Sequence, residues 1–184
     1  MSKVAVLLAE GFEEIEALTV VDVMRRANIN CDMISISQLD ITGSHNIMVK
    51  ADKILGEDIK EYDLLVLPGG MPGSKNLKED ERVVEVVKWF NEKNKFIGAI
   101  CAAPIVLGKA GIIKDRSITS YPGYEDELKG CNYLENDVVV VDGNLITSRG
   151  PATTLAFSYK LLEVLGNESY SKLSEGMMYN FLIK

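Results

Sequence analysis

The chain has 184 residues, 47% hydrophobic and 26% charged, with 20 basic against 27 acidic side chains and a formal net charge of −7. A chain of this length buries about 70% of its unfolded surface, so it needs no disulfide or metal staple, and a single domain over residues 1–184 is expected. The acid excess sets aside sequence-specific nucleic-acid binding and an anionic membrane surface, because both depend on clustered Lys and Arg.

The apolar run Val4–Ala9 that follows Lys3 is ended by Glu10, too early for a signal-peptide core or a membrane span. Lys3–Ala9 instead reads as a buried strand, turned by Gly11 into a helix over Glu13–Ala27, with Arg25 and Arg26 near the end where the macrodipole favours cations. Cys31–Ser37 is the next strand. Residues 38–60 give a weaker pattern, with a short ribbon at Ile47–Val49. Asp63–Leu67 is a further buried strand, stopped by Pro68-Gly69-Gly70.

Val83, Val86, Val87 and Phe90 recur at helical spacing and predict an amphipathic helix over Glu79–Glu92. Phe96–Ile100 is a strand running directly into Cys101, and Ala102–Ala110 a helix ended by Gly111. Ser117–Ser120 is a short strand. Asp142-Gly143 predicts a hairpin between Val138–Val141 and Leu145–Thr147. A helix carrying Leu155, Tyr159 and Leu162 follows Pro151, and Tyr170–Met178 closes the chain as a last helix. Strands alternating with helices imply a mostly parallel sheet covered on both faces, with ligands at the carboxyl ends of the strands.

Several chemistries are excluded by what the chain lacks. His45 is the one histidine, so a two-histidine metal motif cannot be built from one chain. The serine-hydrolase elbow, the dinucleotide glycine pattern and the phosphate loop are all missing. Cys31, Cys101 and Cys131 are far apart and form no Cys-x-x-Cys pair, the usage of a reducing cytosol, and a cytoplasmic location is expected.

Phe96-Ile97-Gly98-Ala99-Ile100-Cys101-Ala102-Ala103-Pro104 places a thiol at the seam between a buried strand and a helix start. Free N–H groups at a helix N-terminus stabilise thiolate, and the small neighbours permit a tight turn. The same position suits a small buried hydrophobe, and the residues alone leave both readings open. In Gly11-Phe12-Glu13-Glu14-Ile15-Glu16-Ala17, Glu13 and Glu14 are accounted for by the helix dipole. Glu16 lies between Ile15 and Leu18, where an apolar pocket would raise its pKa and let it donate a hydrogen bond to a thiolate.

Taken together, GFEEIEA, VVDVMRRA (Val20–Ala27), LVLPGG (Leu65–Gly70), GAICAAP (Gly98–Pro104) and TSRGPATT (Thr147–Thr154) resemble the ThiJ/PfpI superfamily, in its Parkinsonism-associated protein deglycase branch. The resemblance implies a flavodoxin-like three-layer α/β sandwich, a homodimer, and Cys101 in a strand-to-helix nucleophile elbow. It makes Glu16 the carboxyl partner and the backbone N–H groups of Gly70 and Ala102 oxyanion donors. Gly69, Tyr121 and His45 are expected around the pocket. Tyr121 stands where relatives often carry a histidine, and His45 where they carry an arginine reaching toward a partner subunit. Ala102 replaces the histidine of the protease-like branch, which disfavours a peptidase. Arg149 is read as pairing with a carboxylate or shaping the pocket rim.

The function these readings imply is cysteine-dependent chemistry on a small reactive carbonyl or a glycated substrate, of glyoxalase or deglycase type, without metal or cofactor. The alternative is a redox-sensing stress-response protein or chaperone that works through oxidation of the same cysteine.

Overall fold

The computed structural model describes residues 2–182. In chain order its elements are β1 (Lys3–Leu8), α1 (Glu14–Arg26), β2 (Asn30–Ser35), β3 (Asp40–Thr42), β4 (Met48–Lys50), β5 (Lys53–Ile54), β6 (Leu64–Leu67), α2 (Gly73–Glu79), α3 (Glu81–Glu92), β7 (Phe96–Ile100), α4 (Pro104–Ala110), β8 (Ser117–Ile118), β9 (Asn132–Tyr133), β10 (Val139–Asp142), β11 (Leu145–Ser148), α5 (Thr154–Val164) and α6 (Tyr170–Gly176). Seven strands form one sheet in the order β10–β11–β7–β6–β1–β2–β5, and all neighbours run parallel except β10 with β11.

β1 shows why the sheet is covered on both faces. Successive side chains of a strand point to opposite faces, and none of Val4 to Leu8 is polar. Val4, Val6 and Leu8 pack with Val20, Val23 and Met24 of α1 and Phe157 and Leu161 of α5. Ala5 and Leu7 pack on the other side with Leu77 of α2, Val83, Val87 and Phe90 of α3 and Val106 of α4. The result is the three-layer α/β/α sandwich of the flavodoxin type. The chain leaves β1 toward β2 and returns to β6 on β1's other side, so the order reverses between β1 and β6. Ligand crevices open at the carboxyl ends of strands at such a reversal.

Several boundaries differ from expectation for identifiable reasons. Helix 79–92 begins at Glu81 because Asp80 is its N-cap, its carboxylate accepting the Arg82 N–H at 2.9 Å. The stretch before it, for which no element was expected, contains α2. The expected helix start at Ala102 moves to Pro104. The ribbon expected at Ile47–Val49 is β4, shifted by one residue and paired antiparallel with β3. β5 and β9, of two residues each, were not foreseen. The strand expected over 117–120 stops at Ile118, where the chain becomes a strap over Cys101. The last helix stops at Gly176 and gives way to a 3-10 turn, Tyr179–Phe181. Among the described residues no helix is long and apolar enough to cross a membrane.

Phe90 is fully buried in the α3 face. Its replacement by Ala is expected to lower unfolding free energy by about 3–5 kcal/mol in urea melts, while Glu85→Ala on the exposed face changes it by less than about 0.5 kcal/mol.

Candidate active site

The end of β7 sets the site. Cys101 follows Ile100 directly and takes φ +63°, a left-handed conformation that costs a non-glycine residue roughly 1–2 kcal/mol. Two hydrogen bonds hold it there. Its N–H donates to the Ser148 carbonyl at 3.0 Å, and its carbonyl accepts the Tyr121 N–H at 2.9 Å. The end of β11 and the strap after β8 therefore clamp the elbow from both sides. The thiol is left half-buried, and the backbone N–H groups of Ala102 and Gly70 are directed at its sulfur.

Glu16 comes from the first turn of α1 and is completely buried. Its Oε2 accepts the Gly69 N–H at 2.7 Å, and its Oε1 has no closed hydrogen bond. The Cys101 sulfur stands beside this carboxyl, close enough that each group sets the other's proton affinity. Gly69 lies between them. A Cβ at that position would sit 2.6 Å from Cys101 Cβ, 2.6 Å from Glu16 Oε2 and 3.0 Å from Sγ. Only glycine lets the β6 turn come this close. Gly70 adds a positive φ of 89°, which aims its N–H at the sulfur.

Electrostatics here correct the sequence argument. Burial raises the Glu16 carboxyl to about 7; the Gly69 N–H and the thiol oppose that, and the Glu13 charge reinforces it. Burial likewise pushes the Cys101 thiol up, to about 12, and the Glu16 charge and hydrogen bond add to it against the N–H groups of Ala102 and Gly70. A helix dipole was expected to lower the thiol. The helix starts only at Pro104, so burial and the facing carboxylate prevail. The thiol and carboxyl are coupled: an ionised Glu16 keeps the thiol protonated, and a proton on Glu16 removes the charge that does so.

Tyr121 is placed at the elbow by its backbone bond to Cys101, with a side chain 49% exposed. His45 sits in the turn after β3, paired with Glu14. Its Nδ1 is 2.8 Å from Glu14 Oε2 and 3.6 Å from Glu13 Oε2. Burial would raise the Glu14 carboxyl, but donors from His45 outweigh it and hold Glu14 below the usual range, while Glu14 raises His45. Glu13, Glu14 and His45 offer one donor atom each within 4.8 Å of one another. Both acids sit at the positive end of α1, which disfavours a cation, and Glu14 already accepts the His45 N–H at 2.8 Å. The cluster is a clasp holding the β3–β4 turn on α1. Arg149 makes no ion pair among the described residues; it donates to Thr119 Oγ1 at 3.1 Å. Tyr124, whose phenol is raised by burial and then by the nearby Cys101, was not singled out from the sequence.

A parallel α/β sandwich with a strained cysteine elbow at its topological switch point, faced by a buried carboxyl from the first helix, defines a class of cysteine-elbow proteins. Residues 2–164 match the DJ-1/PfpI family, and the chain belongs to it. It is 37% identical over 183 residues to Protein dj-1beta of Drosophila melanogaster, covering 97% of this chain and 98% of that protein. It is 33% identical over 190 residues to the glutathione-independent glyoxalase DJ-1 of Schizosaccharomyces pombe, covering 96% and 98%. It spans 41% of the length of Protein DJ-1 homolog B of Arabidopsis thaliana, at 37% identity. The solved structure of Drosophila melanogaster DJ-1beta superposes with a TM-score of 0.91 at 37% identity, covering 97% and 98% of the two chains. An oxidized Toxoplasma gondii DJ-1 superposes with a TM-score of 0.91 at 32% identity, again covering 97% and 98%.

The raised Glu16 carboxyl makes stability depend on pH with a definite sign. Its native form prefers the proton, so its contribution is fully present below about 4.5 and is lost as pH rises through about 7, a span worth about 3 kcal/mol. Urea melts from pH 4.5 to 8 are expected to show wild type losing about that much relative to Glu16→Gln, which lacks the titration. Parallel curves for the two proteins would contradict the assignment.

Proposed function

We propose that this protein is a glyoxalase that converts α-oxoaldehydes such as methylglyoxal to α-hydroxy acids, with Cys101 as nucleophile and Glu16 as proton carrier. The observation that carries the reading is a buried carboxyl with one unpartnered oxygen beside a partly buried thiol. The relative from Schizosaccharomyces pombe, a glutathione-independent glyoxalase, supports it. Amino-group adducts of the same aldehydes are a second substrate of the same chemistry, with deglycation as the outcome.

The steps balance with water alone. Ionised Glu16 takes the thiol proton as sulfur bonds to the aldehyde carbon, whose oxygen becomes an alkoxide held by the Gly70 and Ala102 N–H groups. Glu16 returns the proton to that oxygen, giving a hemithioacetal. The carboxylate then removes the proton from the former aldehyde carbon, and the resulting enediol is reprotonated at the adjacent carbon to give a thioester. Water hydrolyses the thioester, releasing the hydroxy acid and restoring the thiol. Ala102, directly after the cysteine, supplies no imidazole for peptidase chemistry.

Lactate release from methylglyoxal tests this. Cys101→Ser is expected to abolish it, and Glu16→Gln to reduce kcat/KM by about 10²-fold or more. Wild-type kcat/KM should rise with pH through about 7 as Glu16 loses its proton, a limb missing from Glu16→Gln. Equal rates in all three proteins would refute the proposal.

An oxidised relative has been solved, and this favours a second reading of the thiol as a peroxide-sensitive switch. Graded peroxide followed by intact-mass spectrometry would then add two oxygens at residue 101. Equal oxidation of Cys31, Cys101 and Cys131 would remove this reading.

We further propose a homodimer. Ile15, Ile47 and Met48 are 54%, 52% and 67% exposed, and Ile15 borders an open groove of about 710 Å³ between α1 and α5. Apolar surface of this kind is covered in stable assemblies. Sedimentation should give a dimer for wild type and a monomer for Ile15→Glu combined with Met48→Glu; a monomeric wild type would contradict it.

A further inference from the structure

We propose that the mouth of the Cys101 site selects uncharged carbonyl substrates with an aromatic substituent, and that Tyr121 is the specificity-determining wall. The inference rests on the glyoxalase reading and names its substrate class. Tyr121 is tied to the nucleophile's own backbone, its N–H donating to the Cys101 carbonyl at 2.9 Å. Its ring is seated on Gly150, where an added Cβ would lie 3.3 Å from Cδ2 and 3.8 Å from Cε2. One side of the ring is therefore backed by main chain, while about half of the side chain stays open.

The strap that carries the ring is fixed. Ser120 is fully buried, and its Oγ lies 3.0 Å from the Tyr121 carbonyl and 3.1 Å from the Tyr133 hydroxyl. A backed, half-exposed ring held by the nucleophile's backbone offers stacking at little entropic cost. Met71 adds apolar surface, 46% exposed, directly after Gly70, whose N–H faces the sulfur. Charge points the same way. Glu13, Glu14 and Glu16 are all buried and none pairs with Lys or Arg among the described residues; Glu13 and Glu14 face His45, and the Glu16 carboxylate beside the sulfur is left to repel an anionic substrate. Arg149, from the residue after the Ser148 clamp, is engaged by Thr119.

The test is kcat/KM for phenylglyoxal, methylglyoxal and the anionic α-oxoaldehyde 4-carboxyphenylglyoxal with wild type, Tyr121→Phe, Tyr121→Ala and Met71→Asn. Tyr121→Ala is expected to lower the phenylglyoxal-to-methylglyoxal ratio about fivefold, Met71→Asn about twofold, and Tyr121→Phe to retain it, because the ring and not the hydroxyl supplies the contact. 4-Carboxyphenylglyoxal should be a poorer substrate of wild type than phenylglyoxal. Turnover with an unchanged ratio in both Tyr121→Ala and Met71→Asn, or 4-carboxyphenylglyoxal turned over faster than phenylglyoxal, overturns this inference alone. No turnover of any of the three by wild type overturns the glyoxalase reading with it.

Discussion

A carboxyl group and a thiol sharing a dry pocket cannot both be ionised, and the geometry around Cys101 follows from that constraint. Glu16 is fully buried and Cys101 mostly so, with one glycine between them. The charge that either could carry is opposed by burial and by the other. A negative charge in the pocket has three backbone N–H groups to meet it, from Gly69 at the carboxyl and from Gly70 and Ala102 at the sulfur. The protein thus keeps one mobile proton between a base and a nucleophile, where an incoming carbonyl can use it.

The fold places these pieces with little freedom. Three neighbouring parallel strands end at the same edge. β1 leads into α1 and Glu16, β6 into Gly69 and Gly70, and β7 into Cys101. β11 supplies the Ser148 carbonyl that fixes the elbow. The left-handed backbone at Cys101 is a local cost carried by this clamp, and it turns the side chain out of the strand and toward the carboxyl.

How far the sequence speaks depends on the range of the physics involved. β1, β6 and β7 were legible because runs such as VAVLL and LLVL are apolar on both faces and β-branched in part. The elbow was legible because small residues flank Cys101 at a strand end; Ile15 and Leu18 pointed to Glu16, but Ile15 is 54% exposed and the burial of Glu16 comes from the helix face it shares with Val20 and Val23. α2 was hidden: GSKNLKE has no apolar stripe beyond Leu77 and Gly73 opens it. The clasp of Glu14 and His45 joins residues 31 apart and has no local pattern. The direction of the thiol's shift was misread for the same reason, since a helix start is visible in sequence whereas burial and the distance to a carboxyl in another element are not.

The most direct measurement is the titration of the Glu16 carboxyl itself, followed by carbon-13 NMR of glutamate-labelled protein with Glu16→Gln as the assignment control. The account requires one carboxyl resonance, lost in the variant, to titrate at about 7. A Glu16 resonance titrating near the ordinary value of about 4.3 would contradict it, since the carboxylate would then be too weak a base to exchange a proton with the sulfur near neutral pH.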